Sequence, residues 1–281
     1  MLGLGLAPQL DALRALVPGK PRIMLASATL APAVAAAAAA WLAPDAARVT
    51  VGVNTAATTT ITQAIHVCAE HKKPAKLRKH LAAIAAASAG ARARPRVLIF
   101  CNRVKTVRFV AGVVSEEGLK VEALHGERSQ REREAALAAF RAGAAQVLVA
   151  TDVGGRGLHV PALAYVVNYD FPPSLDTYTH RVGRAGRLGA GGHAFSFFTR
   201  PLAPLARGLV GLLTQAGAGV DPNLVRLADA YDEAVARKER GEEEGGEGEE
   251  EMCRHAPRLS KLESRLDGCA PTDQSTSHNP M

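Results

Sequence analysis

Short apolar runs alternate with amphipathic stretches across the middle of the chain, and this alternation restricts the fold more than any other feature. Residues 97–101 (VLIFC) and 146–151 (QVLVAT) are apolar runs bounded by polar residues, as is typical of strands buried on both faces. Between them, Ser129 and Glu132 have the spacing of a capping box, which marks the start of a helix. Strands that alternate with helices at this spacing predict parallel β-α-β units, with helices on both faces of the sheet.

Further elements follow from the same periodicity. The first 53 residues are predicted to form a helix, a strand at 22–26, a second helix and a short strand near 49–53. The small polar segment 54–60 (NTAATTT) is predicted to be a linker. The strands predicted after it are 61–67, 97–101, 121–124, 146–151, 164–169 and 193–198, and the predicted helices are 73–87, 104–117, one that begins after Ser129 and one that begins at Ser174.

Charge is divided unevenly between the body of the chain and its C-terminal end. The first 220 residues contain 26 Lys and Arg against 12 Asp and Glu, whereas the last 61 residues contain 8 against 15. A basic body indicates a polyanionic partner such as nucleic acid, although basic charge also serves solubility alone. Residues 221–281 lack a clear period and include the acidic run 241–251, so an acidic, largely disordered tail is predicted there.

Cysteine usage and the lack of leader-like segments indicate an intracellular protein. The 4 cysteines form no CxxC pair and have no metal-ligand spacing with histidine, and Cys101 is predicted to be a core residue. The start MLGLGLAPQL lacks the positive charge of a secretory signal, and the apolar run 31–43 is too short to span a bilayer. Neither a metal site nor membrane association is predicted, and nuclear or nucleolar, cytoplasmic and organellar locations stay open.

Three polar or glycine-rich segments follow predicted strands, and the densest of them is HRVGRAGRLG at residues 180–189. On a helix, His180, Arg184 and Arg187 would share one stripe. Clustered guanidinium groups repel one another unless an anion lies among them, and arginine binds phosphate through paired hydrogen bonds. The segment therefore indicates a site for the γ-phosphate of a nucleotide. A solvated basic helix end is the alternative.

The loop TDVGGRG at residues 151–157 directly follows a predicted strand. Its glycines allow close backbone approach, so that its N–H groups can bind a phosphate, with Thr151, Asp152 and Arg156 as polar side chains. A tight turn between a strand and a helix is the alternative.

A second basic segment, LHGERSQRER at residues 124–133, also follows a predicted strand. Gly126 permits a sharp turn, the start of the following helix attracts anions, and Arg133 adds positive charge. The segment could contact a nucleic-acid backbone or form a surface helix held by ion pairs, and the sequence does not decide between these interpretations. The tripeptide SAT at residues 27–29 is weak evidence alone, since Thr29 is also a good helix cap.

Taken together and in order, these segments resemble the C-terminal half of a DEAD-box ATP-dependent RNA helicase. The matching segments are SAT (27–29), VLIFCNR (97–103), the LHG turn with Gln130-x-x-Arg133, VLVATDVGGRGLHVP (147–161) and YTHRVGRAGRLG (178–189). His180 favours the DEAD-box branch, because related DEAH-type helicases usually carry Gln there. The resemblance implies the end of a first RecA-like domain at 1–53, a linker at 54–60, a complete second RecA-like domain at 61–220, and the tail at 221–281.

The resemblance also implies roles for individual residues. Arg184 and Arg187 are expected to be catalytic, acting as arginine fingers on the γ-phosphate of ATP. The other expected residues are Gly157 and His159 toward ATP; Arg103, Gly126, Arg133 and Thr151 toward RNA; and Ser27, Thr29, Asp152, Arg156, His180 and Arg181 in coupling the two domains, with Asp152 bracing the arginines.

Two departures from the family pattern concern the nucleotide. No GxxxxGK[ST] phosphate loop and no DEAD tetrapeptide occur in the 281 residues, so the chain is expected to begin part-way through a helicase. ATP and Mg²⁺ are expected in the complete enzyme, whereas this chain, without the Mg²⁺ ligands, is expected not to hydrolyse ATP alone. His159 stands where related helicases carry the Asp of RGLD, which is expected to weaken recognition of the ATP ribose.

Two functions stay open from the sequence. The first is an ATP-dependent RNA helicase, expected to be a monomer, that unwinds RNA duplexes or remodels ribonucleoproteins, with RNA, ATP and ribonucleoprotein partners. The second is a non-catalytic RecA-like module that binds RNA or a protein. The coding sequence upstream of Met1 discriminates between them.

Overall fold

The computed structural model describes residues 7–19, 21–27, 32–49, 61–88, 94–152, 163–186 and 191–240. The chain divides into two units, residues 1–231 and residues 232–281. Of the second unit, residues 232–240 are described, and they contain the end of a helix. Within these ranges, no helix combines the length and the apolar character that crossing a membrane requires.

A six-stranded sheet in which every strand runs parallel forms the centre of the first unit. The strands are β1 (Ile61–Val67), β2 (Val97–Phe100), β3 (Val121–Leu124), β4 (Val147–Ala150), β5 (Tyr165–Asn168) and β6 (Gly192–Phe198). Their order across the sheet is β1-β6-β5-β2-β4-β3. The apolar strands β2 and β4 are therefore interior strands, and β1 and β3 lie at the edges.

Helices connect these strands and also precede and follow them. Two short 3₁₀ segments, Glu70–Lys72 and Arg200–Leu202, lead directly into α-helices. The α-helices in the described residues are α1 (Ala7–Leu16), α2 (Pro32–Trp41), α3 (Lys73–Ala87), α4 (Val104–Glu116), α5 (Gln130–Arg141), α6 (Leu175–Val182), α7 (Ala203–Gln215) and α8 (Pro222–Glu239).

Both faces of the sheet are covered, and alternate residues of each strand belong to different cores. In β2, Leu98 and Phe100 pack in a core that includes residues of α5, α6, α7 and α8. Val97 and Ile99 pack in a second core with residues of α3 and α4. Every side chain of β2 and β4 is buried, as the continuous apolar runs predict for strands covered on two faces.

The predicted fold class is confirmed, and the elements predicted after residue 60 occur in the predicted order. Their ends differ by a residue or two: the strand predicted to end at Cys101 ends at Phe100, because Cys101 already belongs to the following loop. The capping box of α5 is present, since Ser129 Oγ accepts a hydrogen bond from Glu132 N and Glu132 Oε2 accepts one from Ser129 N.

The strand predicted at residues 22–26 is wrong, because the described residues 21–27 contain no strand. An apolar run becomes a strand only when a neighbouring strand satisfies its backbone hydrogen bonds, and among the described residues every strand pair joins two of the strands β1 to β6. The short strand predicted near residues 49–53 lies, apart from Val49, outside the described residues.

Residues 8–19, 21–27 and 34–49 are exposed or half-buried. One hydrogen bond joins the two helices in this region, from Arg14 Nη1 to the carbonyl oxygen of Ala40 at 3.1 Å. Assignment of residues 1–53 to the end of a first RecA-like domain stays a prediction.

The tail predicted from residue 221 does not begin there, because residues 222–239 form helix α8. Leu224 and Ala228 of this helix are fully buried in the core shared with α7. The prediction relied on the acidic composition and overlooked an apolar pattern. In this pattern, Leu224, Leu227 and Ala228 stand at i, i+3 and i+4 on one helix face. The acidic run 241–251 lies outside the described residues.

Imidazole rings pack against an aromatic residue on the β1–β6 side of the sheet. His80 of α3 stacks on Phe195 of β6 with ring centroids 4.0 Å apart, and His66 of β1 lies 6.2 Å from the same ring. Burial lowers the pKa of His80 below its usual value, and the nearby His193 lowers it further. Burial and then Lys76 likewise lower the pKa of His66. The folded domain therefore favours the neutral form of both rings.

Acid is predicted to destabilise the domain through His80. Because the folded-state pKa lies below the unfolded value of about 6.5, the unfolded chain binds the proton first as the pH falls. The free energy of unfolding is expected to decrease from about pH 7.5 to about pH 5.5, and to decrease less in His80→Leu. Urea unfolding followed by circular dichroism measures this. His71→Leu, at an exposed histidine, is the control and should behave as the wild type; an unchanged pH dependence in His80→Leu contradicts the prediction.

Candidate functional site at the carboxyl edge of the sheet

The carboxyl ends of β2, β4 and β3 lie in register, so the residues that follow them are neighbours. Hydrogen bonds extend this alignment past the strand ends, from Cys101 N to the Ala150 carbonyl at 2.9 Å and from Thr151 N to the Leu124 carbonyl at 3.1 Å. The segments that begin at Cys101, His125 and Thr151 therefore share one edge of the sheet. We call this the polar edge.

Arg181 of α6 joins three strand ends from inside the domain. Its side chain is 2% exposed, and its Nε and Nη2 donate to the two carboxylate oxygens of Asp152 at 2.6 and 2.7 Å. Nη2 also donates to Asn102 Oδ1 at 2.7 Å, and Nη1 donates to the Asp170 carbonyl at 2.8 Å and to Asn168 Oδ1 at 3.4 Å. A guanidinium has five N–H donors, and each has an acceptor here.

Helix α6 places Arg181 inward because Tyr178, Arg181 and Val182 stand at i, i+3 and i+4, and all three are buried. A buried charge is tolerated only when it is paired and its remaining hydrogen-bonding groups are satisfied. The bidentate ion pair with Asp152 meets the first condition, and the amide and carbonyl acceptors meet the second. The ends of β2, β4 and β5 are therefore held at fixed positions around one side chain.

The segment 180–189 leaves the helix after Val182, so the predicted stripe on one helix face is wrong. Gly183 caps the helix, and Gly186 has a φ of +65°, a left-handed conformation that favours glycine. A Cβ on Gly192 would lie 2.4 Å from Gly186 N, so the start of β6 directly contacts this turn. Gly186 thus lies close against the start of β6, an approach that the end of α6 at Val182 allows.

His180, Arg181 and Arg184 have three different surroundings. His180 is exposed, Arg181 is buried, and Arg184 is half-buried. The donors of Arg181 are directed to acceptors inside its own domain, and its expected role in coupling to a facing domain stays a prediction. Asp152 is the partner that holds Arg181. The backbone N–H of Arg184 donates to the Arg181 carbonyl at 3.1 Å, so Arg184 starts from a fixed point.

The residues expected to face RNA lie at the polar edge or in the helix beside it. Arg103 is exposed and is the N-cap residue of α4, and Gly126 is exposed in the turn after β3. Thr151 directly follows β4 and is 8% exposed. Arg133 is half-buried in the first turn of α5. The structure thus brings together residues that are up to 48 positions apart in the chain.

Two buried nitrogens here have no hydrogen-bond partner among the described residues: His125 Nδ1 and Arg133 Nε. His125 is 4% exposed. Burial, followed by the charges of Arg108 and Arg128, lowers its pKa below the usual value. A buried polar group without a partner costs about 1–3 kcal/mol, so such groups mark places where a further partner is expected.

Five expected residues lie outside the described part of the chain: Thr29, Arg156, Gly157, His159 and Arg187. Ser27 is described and exposed, in a segment without helix or strand. Of the residues expected to contact ATP, the structure therefore describes Arg184.

Sequence reasoning missed three residues that pack at the same edge: Asn102, Asp170 and Lys73. A signal existed for the first two, because each stands just after a predicted buried strand, where parallel sheets collect polar residues. Lys73 gave no signal, since lysines on helices are usually exposed, yet it is 3% exposed.

A mainly apolar cavity of about 360 Å³, whose lining also includes Ser88, Arg94 and Gln146, lies at the opposite end of the sheet. Leu81, Ile84 and Leu119 line it, together with the first residues of β2 and β4. It is separate from the polar edge and is not part of the candidate site. Within the described ranges, no group of three or more His, Cys, Asp or Glu is arranged to hold a metal ion.

Comparison with known proteins points to helicases. Residues 72–189 match the helicase conserved C-terminal domain. The chain is 40% identical over 200 residues to DEAD-box ATP-dependent RNA helicase 21 of Oryza sativa subsp. japonica, a match that covers 71% of this chain and 26% of that protein. It is 34% identical over 229 residues to ATP-dependent RNA helicase dbp2 of Neurospora crassa, covering 81% and 40%. The chain therefore spans less than half the length of these relatives.

Solved helicase structures share the fold. The structure of S. cerevisiae Dbp5 bound to RNA and ADP BeF3 is 28% identical, with a TM-score of 0.61 over 76% of this chain and 54% of that one. The RNA-helicase Prp28 from Chaetomium thermophilum bound to ADP is 29% identical, with a TM-score of 0.52 over 78% and 51%.

A parallel sheet with this polar edge, matched to these structures, is the RecA-like fold of a helicase C-terminal domain. The particular family is that of the DEAD-box ATP-dependent RNA helicases, to whose C-terminal part this chain is homologous. The resemblance drawn from the sequence is confirmed.

Arg181→Met is predicted to lower the free energy of unfolding by about 3 kcal/mol, because it leaves the carboxylate of Asp152 and several acceptors without their donor. Arg207→Met is the matched control. It removes an ion pair with Asp229 in which the side chains are 50% and 52% exposed, and should cost less than about 1 kcal/mol. Urea titrations measure both losses, and equal losses in the two variants contradict the account of Arg181.

Proposed function

We propose that this chain supplies the second RecA-like half of an ATP-dependent RNA helicase, which couples ATP hydrolysis to the unwinding of RNA duplexes or the remodelling of ribonucleoproteins. The observation that carries the proposal is the polar edge, where Arg103, Gly126 and Thr151 follow the adjacent ends of β2, β3 and β4. Arg181 and Asp152 hold the ends of β2 and β4 in place. The relative Dbp5, which shares this fold, has been solved with RNA and ADP BeF3 bound.

The RNA backbone is proposed to lie along the ends of β2, β4 and β3. Arg103 supplies positive charge to a phosphate, and Thr151 supplies a hydroxyl group. Gly126 has no side chain and so allows the RNA backbone to approach closely. A Cβ at this position would meet nothing within 4 Å, so the fold itself does not require glycine there. Arg133, half-buried in the first turn of α5, adds positive charge beside this edge.

Contacts of this kind have a recognisable signature in solution. Phosphate contacts carry no base information, so binding is expected to be largely independent of RNA sequence. Each neutralised phosphate also releases counterions, so the logarithm of the affinity should fall linearly with the logarithm of the salt concentration.

The nucleotide is proposed to bind between this domain and a first RecA-like domain. Arg184 and Arg187 would stabilise the negative charge that develops on the γ-phosphate, and Gly157 and His159 would lie near the nucleotide. The hydrogen bond between the backbones of Arg181 and Arg184 supports a fixed position for this segment. Mg²⁺ is expected to accompany ATP in the complete enzyme, and the DEAD tetrapeptide and phosphate loop expected to bind them do not occur in the 281 residues.

We propose that exposed residues in the matched family segments couple this domain to the first RecA-like domain. His180 is exposed and stands at the end of α6, one residue from the buried Arg181. Ser27 is also exposed. Thr29 and Arg156 are proposed with them on the family pattern. Arg181 and Asp152 act in this scheme by fixing the segments rather than by crossing the cleft.

A non-catalytic RecA-like module that binds RNA or a protein is the second candidate, because the 281 residues contain neither a phosphate loop nor a DEAD tetrapeptide. Both candidates use the same RNA-binding edge. They differ in whether the coding sequence before Met1 supplies those two motifs, and sequencing of the transcript decides this.

An intracellular, monomeric protein is proposed with either function. The thiols of Cys68 and Cys101, the cysteines in the described ranges, are free, which suits a reducing compartment. Monomeric behaviour is expected from the family resemblance, and ribonucleoprotein partners are proposed on the same ground.

Gly126→Ala is predicted to weaken the binding of a single-stranded RNA oligonucleotide about tenfold, or ~1.4 kcal/mol, without lowering stability. The added methyl group meets open space in the folded domain but lies where the RNA backbone would pass. Fluorescence anisotropy with labelled oligo(U) measures the affinity, and thermal unfolding measures stability.

The control for this change is Gly112→Ala in α4, where a Cβ also meets open space. That variant should bind RNA as the wild type does. Equal affinities of the two variants would show that RNA does not approach Gly126. A wild-type chain without salt-dependent RNA binding would refute the proposed function itself.

A further inference from the structure

A lysine buried near the polar edge has no role in the function proposed above. Lys73, the first residue of α3, has a side chain that is 4% exposed. Its Nζ donates to Glu70 Oε1 at 2.8 Å and to Asp170 Oδ1 at 3.3 Å, and it lies 5.3 Å from the centre of the Tyr169 ring. Glu70 is 69% exposed, whereas Asp170 is 15% exposed, so Asp170 is the buried partner of this ammonium group.

Asp170 links this lysine to the start of the loop after β2. While Oδ1 accepts from Lys73, the other carboxylate oxygen, Oδ2, accepts from the backbone N–H of Asn102 at 3.0 Å. The backbone carbonyl of Asp170 accepts from Arg181. One residue therefore contacts the ammonium group, the loop after β2 and the arginine that holds the strand ends.

The loop that Asp170 contacts is the one that carries Arg103. The Asn102 side chain donates to the Phe171 carbonyl at 2.8 Å and accepts from Arg181 at 2.7 Å, so Asn102 is held through both its side chain and its backbone. Arg103 follows directly and is the exposed N-cap of α4. The orientation of Asn102 therefore determines where the Arg103 side chain leaves the domain.

We propose that Lys73 is a positioning residue for RNA binding: through Asp170 it holds the backbone of Asn102 and so directs Arg103 toward a phosphate. The effect on RNA binding rests on the proposed function, whereas the effect on the loop that contains Asn102 does not. Stability alone is a poor reason for such a pair, because a buried ion pair is often no more stabilising than apolar side chains of similar volume. Burying the ammonium group costs desolvation free energy. The contacts of this group act, through Asp170, on the loop after β2.

The test compares Lys73→Met, which keeps the buried stem and removes the charge, with Lys79→Met, which removes an exposed charge from the same helix. The first readout needs no RNA. Amide hydrogen exchange followed by NMR should show the Asn102 N–H exchanging about tenfold faster in Lys73→Met, and unchanged in Lys79→Met, because the acceptor Asp170 is no longer held. Unchanged exchange at Asn102 in Lys73→Met overturns the proposal.

The second readout is RNA affinity as a function of salt, measured with labelled oligo(U). Lys73 is buried, yet Lys73→Met should lower the slope of log affinity against log salt by about as much as Arg103→Ala, close to one phosphate contact. In an Arg103→Ala background, Lys73→Met should have no further effect, since it acts through Arg103. Additive losses would overturn the proposal, because they would show that Lys73 acts on RNA binding independently of Arg103.

A second variant covers the case in which Lys73→Met fails to fold. Asp170→Asn removes the charge opposite Lys73 and should give the same faster exchange at Asn102 and the same loss of slope; wild-type behaviour in this variant overturns the proposal. If the wild-type chain does not bind RNA, the proposed function fails, and the exchange rate of Asn102 still decides whether Lys73 positions that loop.

Discussion

The ion pair between Arg181 and Asp152 is the interaction on which the polar edge depends. A guanidinium group that is removed from water must find acceptors for all its donors, and here they come from the ends of β2, β4 and β5. Satisfying one buried charge therefore sets the relative positions of three loops. The segments that carry Arg103 and Thr151 start from these fixed ends, and Arg184 follows Arg181 itself, so their mutual geometry is a consequence of the core.

A second buried charge extends this arrangement toward the start of the domain. Lys73 reaches the edge from α3 and shares Asp170 with Arg181, which produces a continuous run of polar contacts from Glu70 to Asp152. Each contact in this run joins groups that would be costly to bury alone. The surface proposed to face phosphate thus lies on a polar layer, and its outer residues, Arg103 and Gly126, stay exposed.

Sequence patterns predicted the parallel sheet because its interior strands are short apolar runs, and they predicted the edge because polar segments follow those strands. They failed where the outcome depends on tertiary contacts. The burial of Arg181 was not predicted, because it lies in a segment dense in arginine, whereas the apolar face of α6, marked by Tyr178, places it in the core. Residues 22–26 have the composition of a strand, but the part of the chain that the structure describes contains no neighbouring strand for them to pair with. Helix α8 was missed because its few buried residues, such as Leu224, are diluted by charged ones.

The central claim is that RNA binds across the adjacent ends of β2, β3 and β4. Titration of a short single-stranded RNA into the ¹⁵N-labelled chain, followed through backbone amide shifts, tests it most directly. The account predicts that the largest shifts fall on Arg103, Gly126 and Thr151 and on their immediate neighbours, and that they shrink as salt is added. Shifts concentrated instead around the apolar cavity at the opposite end of the sheet, near Leu81 and Leu119, would contradict it.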